Sequence, residues 1–339
     1  MRNELGIGVV GLGFMGRTHL AAFGRASGCE VVAVADRDAA RLTGESTGDG
    51  NFDTGGEERL FDPSIVSTCE DAMELIDHPD VQLVSITTPT PTHRGLAHAV
   101  IASGRHLLVE KPVDLDPRVI RDLAAEASEA GVLAMPAHCM RFWPAWAWMK
   151  ARLDAGTYGR CLAASFLRCG APPGWNPEFY LDDAKSGGAI VDLHIHDTDF
   201  VLHCFGIPTA VASEGSRRYV TTRYEYADGP EVVAEGGWLE DPEAGFTMKA
   251  SFECEKATMT FELGREPEVV VEHEGGSPTH HPEASEGGTG YDGQVERLLA
   301  AIRSGASTPP VTLDDAAETA RVLQAEIRSM ESGGSRVEP

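Results

Sequence analysis

Hydrophobic positions in the first 135 residues fall in short unbroken runs rather than in strict alternation. "LGIGVVGLG" (5–13), "EVVAVAD" (30–36), "VQLVSITTP" (81–89) and "RHLLVEKP" (105–112) are rich in β-branched residues, the pattern of strands covered on both faces. Helical segments are expected between and after them, near His19 to Ser27, Cys69 to Asp77, His93 to Ser103 and Pro117 to Ala130. Strand and helix in alternation imply right-handed crossovers, and so a parallel, doubly wound α/β sheet. The long connection from Asp38 to Thr68 carries an exposed insertion at 44–63, marked by "GDGNFDTGGEE".

After "HCMRFWPAWAWMKARLDAG" (138–156) the pattern changes to successive strand-like runs at 160–169, 209–226, 231–239 and 245–263. These predict a large, mainly antiparallel open sheet flanked by helices, with strands pairing in chain order. Residues 264–290 read as a loop, and helices are expected over Asp292–Ser304 and Leu313–Ser329. Three segments result: 1–135, an α+β region 136–330, and a tail 331–339 expected to fray.

Composition removes several function classes. A net charge of -25 disfavours nucleic acid and anionic membranes, whose phosphates need clustered Lys and Arg. No apolar run approaches the ~18 residues of a membrane span, and the N-terminus lacks a secretory pattern, so a cytoplasmic protein is expected. Seven scattered cysteines without a C-x-x-C pair suggest reduced thiols, neither a disulfide framework nor a zinc knuckle. Only five residues are lysines; this acid-rich, lysine-poor balance fits a salt-rich host or an arginine-favouring codon bias equally well.

"VVGLGFMG" places Gly11, Gly13 and Gly16 in G-x-G-x-x-G directly after a strand and at the start of a helix, with Phe14 and Met15 between the last two glycines. Asp36 ends the second strand 20 residues after Gly16, where a carboxylate accepts hydrogen bonds from an adenosine ribose. In such a loop Gly11 makes the tight turn, Gly13 lets backbone approach a pyrophosphate at the helix N-terminus, and Gly16 lets helix meet strand. A carboxylate there repels a 2'-phosphate, so NAD is preferred; Arg37 beside it leaves NADP open. Glu110, Lys111 and Pro112 end the fourth run, at the strand terminus where open α/β sheets collect their ligands.

These residues, with "TTPTPTH" (87–93), Met140-Arg141-Phe142 and Gly187, Gly188, Asp192 and His196 in G-G-x-x-x-D-x-x-x-H, resemble the glucose-fructose oxidoreductase, inositol dehydrogenase and rhizopine-catabolism family of NAD(P)-dependent enzymes. The resemblance runs from about residue 5 to residue 330. It implies a Rossmann dinucleotide-binding domain followed by a substrate-binding and dimerisation domain, a sugar, cyclitol or polyol substrate, and a homodimer or homotetramer. Residue by residue, it implies that Lys111 lies between nicotinamide and the substrate hydroxyl, that Asp192 orients the substrate, and that His196 exchanges the hydroxyl proton. Thr88, Pro89, Thr90 and His93 would line the cofactor and Glu110 would approach the nicotinamide ribose. Arg141, Trp175 and Asp199 are further candidate substrate contacts. The tryptophans 143, 146 and 148 follow no family pattern.

"SGGAIVDLHIHDTDFVLHCFG" (186–206) invites a metal reading through His194 and His196. Between the glycine pair and Gly206 the run predicts one continuous helix, on which those two histidines point about 200° apart and share no ion. No metal is therefore expected. On that helix Asp192, His196, Asp199 and His203 form one polar stripe. Two rivals to a dehydrogenase stand: a glycosidase that uses NAD transiently, and a non-catalytic NAD-binding regulator, which has no need of Lys111 together with Asp192 and His196.

Overall fold

The structure, a computed structural model, describes residues 4–45, 59–174, 177–241, 243–273 and 275–339. Contacts divide the chain into one unit of Met1–His138 with Tyr291–Ala317 and a second of Cys139–Gly290 with Glu318–Pro339. The first unit thus ends three residues beyond the expected boundary and takes back a C-terminal stretch that a contiguous reading assigns to the second.

In the first unit, β1 (Leu5–Val10), β2 (Cys29–Ala35), β3 (Ser67–Cys69), β4 (Leu83–Ile86), β5 (His106–Val109) and β6 (Ala134–Pro136) form a parallel sheet in the order β3-β2-β1-β4-β5-β6. The short β3 and β6 are additions to the four long runs. Helices α1 (Phe14–Arg25), α2 (Ala72–Ile76), α3 (His93–Ala102) and α4 (Pro117–Ala130) make the crossovers. α1 begins five residues earlier than its polarity pattern suggests, because the glycine-rich turn leads straight into it. The apolar residues of β1, β4 and β5 are almost wholly buried, as strands covered on both faces require. The order reverses between β1 and β4, the switch point outside whose carboxyl ends doubly wound sheets bind ligands.

The second unit opens with α5 (Pro144–Asp154) and β7 (Cys161–Gly170), then four helices: α6 (Pro177–Tyr180), α7 (Asp183–Ser186), α8 (Ala189–Asp192) and α9 (Ile195–Phe205). Strands β8 (Ala210–Gly215), β9 (Tyr219–Glu225), β10 (Glu231–Trp238), β11 (Thr247–Cys254), β12 (Ala257–Glu262), β13 (Val269–His273) and β14 (Thr279–His280) follow; of the last two helices, α10 (Gly290–Ser304) belongs almost wholly to the first unit and α11 (Leu313–Glu331) mostly to the second. The sheet order is β14-β13-β12-β11-β7-β10-β9-β8. Pairing is therefore not wholly sequential: β7 sits centrally, antiparallel to β11 and parallel to β10. That one parallel pair is possible because the chain between β7 and β10 is long enough to carry helices and a hairpin.

Three expectations are corrected. Residues 264–290 are not a plain loop, since the β-branched Val269, Val270 and Val271 continue the sheet as β13. The tail is tied down: Val337 exchanges two backbone hydrogen bonds with Val211 and Arg336 pairs with Glu225. The run 189–205 is two helices, not one. Trp146 is core, wholly buried and packed edge-on to Phe200 at 4.7 Å and against Phe166 and Phe261. Within the insertion, 46–58 lie outside the described residues; Glu45 and Arg59 flank them in an isolated antiparallel bridge.

Candidate active site

The glycine loop has the geometry its spacing implies. Gly11 adopts a φ of 90°, and a Cβ on Gly16 would lie 1.9 Å from the Gly11 carbonyl oxygen, so only glycine lets α1 start this close to the turn. At Gly13 a Cβ would meet nothing nearer than Arg41 Nη1 at 3.7 Å, leaving the face toward the loop open. Gly13, the N-cap, makes no side-chain cap, and the N-terminus of α1 brings the positive end of the helix dipole to that side. This combination fits a pyrophosphate.

Asp36 stands at the end of β2. Its Oδ2 accepts the Leu12 N–H at 2.6 Å and its Oδ1 the Asp38 N–H at 2.9 Å, which ties the glycine loop to the neighbouring strand. A carboxylate offers about four acceptor positions, and with Arg41 Nη1 also donating to Oδ2 one remains, on Oδ1, for a ribose hydroxyl. Arg41, unmarked by any sequence motif, brings its guanidinium to 3.5 Å from Asp36, while Arg37 is exposed.

Thr88, Pro89 and Thr90 follow β4, and Thr88 Oγ1 lies 2.7 Å from Thr92 Oγ1. His93 does not line the surface as expected. It is 1% exposed, with Nε2 2.6 Å from the Thr88 carbonyl and Nδ1 2.9 Å from the Pro112 carbonyl, and so it joins the turn after β4 to the turn after β5. Burial pushes its imidazole below the ordinary histidine value, against the pull of those two carbonyls and of Glu110.

Glu110 also departs from expectation. It is 5% exposed, and His19 Nε2–H donates to its Oε1 at 3.0 Å while the Lys111 N–H donates to its Oε2 at 3.1 Å. Its carboxylate is committed to the interior and not to a ribose. Lys111, one residue on, is half-buried at the carboxyl end of β5.

In the second unit the Asp/His run separates by burial. The helix breaks after Asp192: His194 N–H reaches back five residues to Ala189 at 3.0 Å, and His196 N–H only three, to Leu193 at 3.3 Å. Such a local widening of the helix is common where side chains must be re-aimed. The uninterrupted i, i+4 stripe is therefore absent. His194 is fully buried, with Nε2 3.2 Å from Glu326 Oε2, and Thr198 hydrogen-bonds the other oxygen of that carboxylate. Asp197 accepts three hydrogen bonds from the buried Arg168.

Asp199 and Arg141 are set aside as substrate contacts, because Arg141 Nη2 and Nε grip the Asp199 carboxylate at 2.7 and 2.9 Å and Thr319 adds a third donor. His203 is pushed down to about 4 by burial, with Arg141 and Lys150 adding to the effect. Asp192 and His196 remain, both partly exposed. Trp175 lies outside the described residues. Tyr180, beyond it, stands edge-on to Trp238.

Comparison with known proteins agrees with this geometry. Residues 5–138 match the profile of an oxidoreductase family with an NAD-binding Rossmann fold, and residues 146–264 match the GFO/IDH/MocA C-terminal domain. Over 185 residues the chain is 31% identical to scyllo-inositol 2-dehydrogenase (NAD(+)) of Bacillus subtilis, covering 52% of each chain. Over 203 residues it is 30% identical to 1,5-anhydro-D-fructose reductase of Ensifer adhaerens, covering 58% of this chain and 56% of that one. The chain thus spans about half the length of these curated relatives. Over 316 residues it is 26% identical to inositol 2-dehydrogenase of Mycolicibacterium smegmatis, covering 90% and 86%. Levoglucosan dehydrogenase, solved with NADH and levoglucosan, superposes with a TM-score of 0.82 at 19% identity over 99% of both chains, a likeness of fold. The loop, the two-part architecture and both profile matches lead to one conclusion: the chain belongs to the glucose-fructose oxidoreductase, inositol dehydrogenase and rhizopine-catabolism family of NAD-binding oxidoreductases.

Proposed function

We propose that the protein oxidises a secondary hydroxyl of a sugar, cyclitol or related polyol, or reduces the corresponding ketone, with Lys111, Asp192 and His196 at the reacting oxygen. The observation that carries this reading is the division of the Asp/His run by burial: Asp197 and Asp199, both buried, meet arginines and His194 lies wholly buried against Glu326, while Asp192 and His196 are partly exposed. The relatives named above act on inositols, an anhydro-sugar ketone or levoglucosan, all of them polyhydroxylated rings or their ketones. Gly11, Gly13, Gly16 and Asp36 would hold NAD, which when bound would supply the acceptor for the hydride of the carbinol carbon. The Lys111 ammonium stabilises the developing alkoxide, Asp192 orients the hydroxyl, and the His196 imidazole takes its proton.

A panel of inositols, anhydro-sugars and aldoses, assayed by NADH absorbance with NAD and NADP in parallel, tests the class. Turnover of at least one polyol is expected. Silence across the panel favours the NAD-binding regulator, and release of an aryl aglycone without net NADH favours the glycosidase.

Asp36→Ser is expected to weaken NAD about 10- to 150-fold, because one hydrogen bond to a charged group is worth about 1.5–3 kcal/mol. It also removes the repulsion that excludes a 2'-phosphate, so the NADP to NAD ratio rises in the same assay. An unchanged ratio would remove Asp36 from the cofactor site.

Assembly through the outward face of the second sheet belongs to this proposal. Ser165, Lys249, Ser251, Glu253 and Arg223 lie on that face as partly or fully exposed positions between inward-facing buried ones. Light scattering is expected to give a dimer or tetramer, and a monomer at micromolar concentration would overturn it.

A further inference from the structure

The first unit contains a buried polar chain that no motif announces. His19, in the second turn of α1, is fully buried; its Nδ1 lies 2.7 Å from Ser85 Oγ on β4, and its Nε2–H donates to Glu110 Oε1 at 3.0 Å. The second Glu110 oxygen accepts the Lys111 backbone N–H at 3.1 Å. From α10 the Gln294 side-chain amide, also fully buried, sits 3.3 Å from His19 Nε2. Four segments far apart in sequence therefore converge behind one residue, Lys111.

Burial is the largest influence on the Glu110 carboxyl and would raise it. The hydrogen bond from His19, with the charges of His19 and Lys111, outweighs burial and holds the group below the ordinary glutamate value. Glu110 is thus an anion at neutral pH, and an anion this deeply placed requires a donor to remain one. The donor is His19. Remove it, and Glu110 either takes up a proton, which weakens it as acceptor for the Lys111 N–H, or turns away, which breaks that bond; either change alters the charge beside the Lys111 side chain.

We propose that His19 is a positioning residue: acting through Glu110, it sets the backbone and the charged surroundings of Lys111, with Ser85 fixing the imidazole from behind and Gln294 covering it. The inference rests on the reading of Lys111 as a reacting residue, but its physical core, the link from His19 to Lys111, is tested without substrate.

The variants are His19→Ala, His19→Gln, whose amide N–H can still donate to Glu110, and Lys111→Met as reference, all in the full chain. Two spectroscopic readouts need no substrate. In the infrared, a buried protonated-carboxyl band is expected at neutral pH in His19→Ala but neither in the parent nor in His19→Gln. With 13C-labelled lysine only five ε-carbon signals exist; the one missing in Lys111→Met is expected to move in His19→Ala and to return in His19→Gln.

With the polyol that the panel turns over best, His19→Ala is expected to lose about 10- to 100-fold in kcat, the scale of a misplacement of ~1 Å, with KM for NAD within about twofold. His19→Gln recovers most of the loss. A role in core packing alone would lower Tm while leaving kcat per folded molecule and the Lys111 signal unmoved, and that result overturns the proposal. If instead Lys111→Met retains turnover while the Lys111 signal still responds to His19, the assignment of Lys111 to the reaction fails and the structural link stands.

Discussion

Replacing Lys111 with methionine is expected to lower kcat/KM by about 10²- to 10⁴-fold, the range contributed by a positioned acid–base or charge-stabilising group, while NAD binding stays within about threefold. Methionine keeps the length and much of the volume of lysine and deletes only the charge and the donors, so β5 and the turn after it should be undisturbed. The residue lies at the carboxyl end of β5, outside the glycine loop whose geometry fits the phosphates, and this is why binding and turnover should separate. Stopped-flow or steady-state NADH absorbance gives the rate, and quenching of intrinsic fluorescence on titration with NAD gives the affinity. Turnover retained within tenfold would remove Lys111 from the reaction and with it the dehydrogenase mechanism proposed above.

Asp197→Asn is expected to be the most destabilising single change in the second unit. Arg168, on the central strand β7 and 3% exposed, donates to Asp197 at 2.9, 3.0 and 3.2 Å, and the carboxylate is fully buried. The Arg168 guanidinium also lies 5.5 Å from the Trp146 ring. An asparagine leaves a guanidinium in the aromatic core with no countercharge, and breaking such a pair costs about 3–5 kcal/mol. Against a total stability of about 5–15 kcal/mol that is a large share, and melting should drop by roughly 10 °C or more. Differential scanning calorimetry reads the change. A paired replacement, Arg168→Met with Asp197→Leu, should recover most of it, because two apolar groups of similar volume carry no desolvation cost. A single variant that melts with the parent would show that the pair contributes nothing to the fold.

The same pair shows where sequence reading reached its limit. Asp197 and Asp199 stand in one short polar run beside Asp192 and His196, and periodicity alone offers Asp199 to the substrate. Their partners, Arg168 and Arg141, are 29 and 58 residues away. Nothing in local pattern distinguishes a carboxylate that will meet a buried arginine from one that will stay partly exposed. The helix break at Leu193 and His194 was equally invisible, because neither proline nor glycine marks it; the tertiary partner of His194 is Glu326 on α11, at the far end of the chain.

Glu110 and His93 were legible as important but not in their roles. Both sit in motifs at strand ends, where ligand contact is the natural expectation, and both prove to be buried supports that hold Lys111, Pro112 and Thr88 in place. His19 gave no signal of its own, since a single histidine on an amphipathic helix reads as an ordinary core residue.

By itself the sequence determined the parallel sheet, the glycine loop with its acid at the end of β2, and the lysine at the end of β5. Each of these depends on spacing along the chain: strand period, helix period, and the need for glycine where φ is positive or a Cβ has no room. Tertiary structure alone decided the strand order of the second sheet, the return of residues 291–317 to the first unit, and which members of the Asp/His run stay partly exposed. Those outcomes depend on burial, and on which opposite charge each buried group meets across a long loop of chain, quantities that no local window contains.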